Sequence, residues 1–166
     1  MFYIGIDQSY TSTGMVILNE KKELVSTKIL STNAKDDIFK RSWELSEEIV
    51  EEIKCYQPCL ISIEGLAFSM TGNATRDLAG LQFLIVSKIK FILNHDITIV
   101  APPSLKKFAT GNGKAKKEDM INSLPVEIFD YFTKTLKIKK TKGLTDLTDA
   151  YFLASYLLEN KNKNKN

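Results

Sequence analysis

The sequence predicts an α/β fold: a mixed five-stranded sheet, three antiparallel strands plus two parallel ones, with helices on both faces. Three observations carry that expectation. Three short β-rich segments follow one another at the start of the chain, separated only by turn-forming or charged residues. Two apolar segments come later, each preceded by a long stretch of helical periodicity, which is the pattern of right-handed crossovers. The 166 residues are the size of one domain with a core, and 43% hydrophobic against 26% charged residues marks a globular chain.

Residues 2–7, 14–19 and 23–30 read as strands of an antiparallel meander, broken by Gln8–Gly14 and by Glu20-Lys21-Lys22. Residues 35–57 place Ile38, Leu45, Ile49, Ile53 and Tyr56 on one helical face. Glu44, Glu47, Glu48, Glu51 and Glu52 form an acidic outer face, and Pro58 stops the helix. Residues 59–64 form a short apolar strand of buried character. Residues 74–94 are a second helix, apolar almost all round, which calls for burial on more than one side. A strand at 97–101 closes on Pro102-Pro103. Helical pieces at about 104–109, 117–123 and 125–134, a basic connector at 137–142 and a last helix at about 146–159 complete the pattern. Neither a repeat nor a linker divides the chain, so residues 1–159 read as one domain, followed by a disordered Lys/Asn tail at 160–166.

Four acids attach to core-like structure. The first strand runs into Asp7 and the fourth into Glu64. Laid parallel and adjacent, those strands project both acids from one sheet edge, where open α/β sheets place their ligands. Asp146 and Asp149 share a helical face by their three-residue spacing. One explanation is structural: turn acids at Asp7 and Glu64, and first-turn acids complementing the helix dipole behind a Thr145 N-cap. The other is a metal site. Asp149 leads into Ala150-Tyr151-Phe152-Leu153-Ala154, and a buried carboxylate needs a partner. Oxygen-only ligands suit Mg²⁺, with Mn²⁺ able to substitute. Two such ions about 3.5–4 Å apart serve phosphodiester cleavage. The single His95 lies between a helix and a strand and reads as a loop residue.

Charge is uneven along the chain. Residues 1–100 carry 10 basic and 13 acidic side chains and residues 101–166 carry 13 and 7, so the overall +3 conceals a basic C-terminal part where a polyanion would land. Cys55 and Cys59 are too few for a structural zinc site and are expected as reduced thiols. No apolar run reaches the ~20 residues of a membrane span, and the N-terminus lacks a signal-peptide pattern, so a cytoplasmic protein is expected.

Four segments together resemble the RuvC family of Holliday-junction resolvases in the RNase H-like superfamily, over about residues 2–157. They are Gly5-Ile6-Asp7 with Ser9 and Thr11–Gly14, Ile63-Glu64, the run Ala109–Met120, and Asp146-Leu147-Thr148-Asp149-Ala150. The resemblance implies a homodimer that binds branched DNA and makes paired, Mg²⁺-dependent nicks with 5′-phosphate ends, without a small-molecule cofactor. It implies that Asp7, Glu64, Asp146 and Asp149 are the catalytic metal ligands and that Lys106 and Lys117 contact DNA. It further implies an aromatic after the glutamate that opens the junction, for which Phe68 is the slightly offset candidate. Where relatives carry a His near the last acids, this chain has Thr145 and Thr148. Its short, Lys-rich character is similar to versions carried by bacteriophages, which act in a bacterial host's cytoplasm.

The loop Gly111-Asn112-Gly113 exposes backbone N–H groups and leads into Lys114, Lys116 and Lys117, cations that neutralise phosphates or merely solvate a surface loop. The run Lys134–Lys142 either extends that footprint to another junction arm or is a solvated connector, and Arg76 is either a phosphate contact or a surface residue. The second face of the 74–94 helix is expected at a dimer interface. Three other readings stand beside the resolvase. One is an RNase H-like nuclease acting on flaps, forks or RNA–DNA hybrids. Another is a module that binds branched DNA without cutting it. The third is a sugar-kinase or actin-like ATPase domain, whose phosphate-binding turn is similar to Gly5–Gly14 but which needs two such domains to close on ATP.

Overall fold

The computed structural model describes residues 1–66, 72–138 and 143–163, with side chains through Lys161. Strands β1 (Phe2–Asp7), β2 (Thr13–Asn19) and β3 (Leu24–Leu30) form the meander. Helix α1 (Ile38–Lys54), strand β4 (Cys59–Glu64), helix α2 (Asn73–Phe91) and strand β5 (Ile97–Val100) follow as two crossovers. The five strands lie in the order β3-β2-β1-β4-β5. The β1–β2 and β2–β3 pairs are antiparallel and the β1–β4 and β4–β5 pairs parallel, as expected.

Alternation along the strands separates two cores. Ile4, Ile6, Met15, Ile17, Ile61 and Ile63 face α1 and α2. Tyr3, Val16 and Leu18 face the C-terminal helices. Those are α3 (Pro102–Thr110), α4 (Lys117–Asn122), α5 (Val126–Asp130) with a π-helical turn at Tyr131–Thr135, and α6 (Leu144–Lys163). Each sheet face is therefore covered by helices.

Several boundaries differ from expectation for identifiable reasons. The Asp37 side chain accepts from Phe39 and Lys40 N–H and starts α1 three residues late. Pro102 and Pro103 open α3 rather than only closing β5, because proline suits the first helical turn. The continuous helix expected over 125–134 turns π-helical from Tyr131. Helix α6 begins at Leu144, after Gly143 at φ 83°, so Thr145 is a first-turn residue and not the N-cap. At its other end α6 continues through 160–163, where a disordered tail was expected, and the Lys161 ammonium sits over the Tyr3 ring, 5.5 Å from its centroid. Residues 164–166 and most of the basic connector, 139–142, lie outside the described residues.

Candidate active site

The parallel register pairs Ile6 of β1 with Ile63 of β4, so Asp7 and Glu64 leave the same carboxyl edge of the sheet side by side. Two glycines bring the last helix onto them. Gly14 is the cross-strand partner of Asp7, and a Cβ there would run into the Asp146 carbonyl. A Cβ on Gly5 would run into the Ala150 carbonyl and come within 2.6 Å of the Ala154 nitrogen. Only glycine lets α6 lie this close to β1 and β2, and that proximity sets Asp149 against the two strand-end acids.

Asp7, Glu64 and Asp149 each present a carboxylate oxygen within 4.8 Å of the other two. Asp146 stands outside that set but lines the same cleft, of about 670 Å³, with Lys106 and Lys117. Asp149 is the sixth residue of α6, beyond the first turn, so the helix-dipole account covers Asp146 alone. None of the ion pairs among the described residues engages any of these four acids.

Their titration follows from this crowding. Burial above all pushes Asp7 well above the ordinary carboxylate range, the charges of Glu64, Asp149 and Asp146 push it further, and a hydrogen bond from its protonated form to Glu64 adds to the rise. Burial also raises Glu64, opposed by that hydrogen bond and by the Lys106 and Lys117 charges. Asp149 is pushed up to about 7, first by burial and then by Glu64 and Asp146, against Lys117 and Lys106. Like charges held this way fit a hard divalent cation: the donors are all oxygen, they converge, and two ammonium groups do not neutralise them.

The other predicted residues scatter. Lys106 on α3 and Lys117 at the start of α4 line the cleft. Lys114 and Lys116 are exposed on the preceding loop and are not part of its lining. Arg76 is exposed on α2 and paired to Asp77 at 3.1 Å, away from the lining. Phe68 lies outside the described residues. Sequence reasoning treated Gln8–Thr11 as a turn, whereas these residues form a wall of the cleft, faced by Ala74, Thr75 and Leu78 of α2. The signals for the wall were the polar run directly after an acid and the place of Ser9 and Thr11 in the segment that carries the family resemblance; nothing in the α2 pattern marked Thr75 as part of it. Gln82 steadies the end of β4 by donating to the Glu64 carbonyl at 2.7 Å.

A mixed sheet of this order, with converging acids at its carboxyl edge, defines an RNase H-like fold. The family model "Crossover junction endodeoxyribonuclease RuvC" matches residues 3–154, and the chain belongs to that family. The crossover junction endodeoxyribonuclease RuvC of Rickettsia akari is 28% identical over 127 residues, covering 75% of this chain and 80% of that protein. Thermus thermophilus RuvC in complex with Holliday junction substrate superposes with a TM-score of 0.72 at 15% identity, covering 97% of this chain and 95% of that one. The Fowlpox virus resolvase bound to substrate Holliday junction DNA gives 0.61 at 15% identity, covering 97% and 99%.

Proposed function

We propose that this protein resolves Holliday junctions by metal-dependent hydrolysis of a phosphodiester in each of two strands, with Mg²⁺ as the metal, Mn²⁺ as a working substitute and 5′-phosphate ends as products. The observation that carries the reading is the convergence of Asp7, Glu64 and Asp149 beside the cleft lysines Lys106 and Lys117. Family membership and the junction DNA held by two proteins of the same fold support the substrate.

Asp7, Glu64 and Asp149 are the residues to hold the metal, with Asp146 beside them as a fourth acid. When bound, the metal activates water and neutralises charge on the phosphate. The chain's own contributions are positional and electrostatic. Lys106 and Lys117 draw a phosphate into a cleft whose acids would otherwise repel it, and their charge keeps Glu64 and Asp149 closer to ionised. Lys114, Lys116 and Arg76 lie outside the lining and are assigned to flanking backbone.

Paired nicks need two active sites, and we assign the second to another copy of this chain. Phe83 and Phe91 of α2 are 76% and 86% exposed, and Phe39 of α1 is 82% exposed, an amount of bare aromatic surface that a partner would cover. The working compartment is the cytoplasm, and among the described residues no helix is long and apolar enough to cross a membrane.

The test is cleavage of labelled four-way, three-way, flap and linear DNA in Mg²⁺, with EDTA and Asp146→Asn as controls. Symmetric paired nicks in the four-way junction, lost in both controls, are expected. Junction binding with no nick in either Mg²⁺ or Mn²⁺ would overturn the reading. Sedimentation showing only monomers at micromolar concentration would overturn the dimer.

A further inference from the structure

The loop from α3 to α4 carries two cations outside the cleft, on a backbone whose donors are already in use. Lys114 and Lys116 are exposed, and none of the ion pairs among the described residues engages either. The sequence pattern expected Gly111-Asn112-Gly113 to turn N–H groups outward. Instead Gly111 N–H donates to the Lys107 carbonyl at 2.9 Å, Asn112 N–H to Thr110 Oγ1 at 3.1 Å and Ala115 N–H to the Asn112 carbonyl at 3.1 Å. Lys114 N–H donates to Asn112 Oδ1 at 3.0 Å and Lys116 N–H to Asp119 Oδ2 at 2.8 Å. Donors taken in this way do not form the concave nest that captures anions. Side-chain charge is what this loop offers a phosphate.

The loop is also fastened to the body of the protein. A Cβ on Gly113 would lie 3.1 Å from the Pro103 carbonyl oxygen, so the turn packs closely on the start of α3. Ala115 is 2% exposed, and it stands between the two exposed lysines. Asn112 holds the approach to that anchor: its side-chain carbonyl takes the Lys114 N–H and its main-chain carbonyl takes the Ala115 N–H. Asn112 is itself exposed, so its side chain fills no space in the core.

We propose that Asn112 is a positioning residue of the DNA interface, fixing the loop so that Lys114 and Lys116 meet a phosphate backbone beside the cleft as a preformed pair. This rests on the DNA-binding part of the reading above. A loop ordered in advance spares binding the cost of ordering it. Without the Asn112 side chain that cost falls on the complex, while the ammonium–phosphate contacts, and with them the counterions released, stay the same.

The experiment measures four-way-junction affinity in EDTA over a range of salt concentrations for wild-type protein, Asn112→Ala, Asn112→Ser and the double variant Lys114→Ala with Lys116→Ala. The double variant is expected to reduce the salt slope by about 2, one for each lost phosphate contact. Asn112→Ala is expected to weaken binding by about fivefold at every salt concentration with the slope unchanged, the equilibrium factor of about one hydrogen bond. Asn112→Ser, whose hydroxyl makes the same kind of turn more weakly, should recover part of that loss, which a general loss of fold would not allow. Wild-type affinity in Asn112→Ala, a slope that falls with it, or a double variant with the wild-type slope overturns the proposal. Wild-type protein that binds the junction but nicks none in Mg²⁺ overturns the endonuclease reading alone, and wild-type protein that does not bind overturns both.

Discussion

Among the described residues, charge is taken out of water between α1 and α2 and at the sheet edge, and these two places are handled in opposite ways. Between α1 and α2 the ammonium of Lys88, 5% exposed, pairs with Glu47 and lies 3.6 Å from the centroid of the Trp43 ring. That charge is completed within the chain, by an opposite charge and an aromatic face. At the sheet edge Asp7, Glu64 and Asp149 are gathered with no such completion, and the fold holds them against their own repulsion. The first arrangement is complete in itself, and removing one partner would strand a buried charge. The second is left for a bound cation to complete, as the proposed function requires.

The sharpest way to break the contrast is Asp7→Asn. It removes the charge of a proposed metal ligand, and cleavage should fall by about a thousandfold or more, as metal-site catalysis supplies several kcal/mol. Junction affinity should hold or rise as a repulsive charge disappears, measured by cleavage rate and filter binding on the same preparation. A variant that cuts at the normal rate would remove Asp7 from the site.

Metal-free stability should depend on pH in the direction set by the raised carboxyls. Asp149 titrates at about 7 in the folded chain and near 3.9 unfolded, so between those values the folded state holds the extra proton. Stability therefore falls as pH rises from about 4 to 7 and levels off above, by up to about 4 kcal/mol from this group alone. The stabilisation gained from added Mg²⁺ should grow over the same window, because the cation competes with that proton. Melting curves with and without the metal check the sign. A metal-free protein that became more stable from pH 4 to 7 would contradict the crowding described here.

Glu47→Ala tests the other region. It leaves a buried ammonium over a ring with no carboxylate, and should cost about 2 kcal/mol, less than a fully buried pair because Glu47 is 45% exposed. Lys88→Met in the same background should recover most of that loss, whereas no hydrophobic replacement at Asp7 would recover cleavage. Denaturant titration of the four proteins gives the coupling directly.

What could be read from sequence follows the same division. The acids were legible because a buried-looking strand that ends on a carboxylate is anomalous, and Asp149 is flanked by core residues. The sheet was legible because alternating and crossover patterns are local. Glu47 was read as one of five solvated glutamates on α1, since its partner Lys88 lies on another helix and no periodicity connects them. The π-helical turn at Tyr131 and the proline start of α3 were hidden because the same residues suit an ordinary helix or a strand end. Asp146 and Asp149 both suited a first turn until the start of α6 at Leu144 put Asp146 in the first turn and Asp149 in the second.

The smallest expected effect separates lysines that line the cleft from those proposed to meet only flanking DNA. Lys117 lines the cleft and lowers the titration of both Glu64 and Asp149, while Lys114 lies on the loop outside the lining. Both should contact phosphate, so replacing either with Ala should weaken junction binding severalfold and reduce the salt slope by about 1. Only Lys117→Ala should also move the pH profile of cleavage toward higher pH, because the site's carboxylates then release their protons later. Cleavage measured across pH at saturating protein isolates that shift from affinity. If Lys114→Ala moved the profile equally, the loop lysine would be acting on the acids as well, and the division between cleft and flanking cations would have to be redrawn.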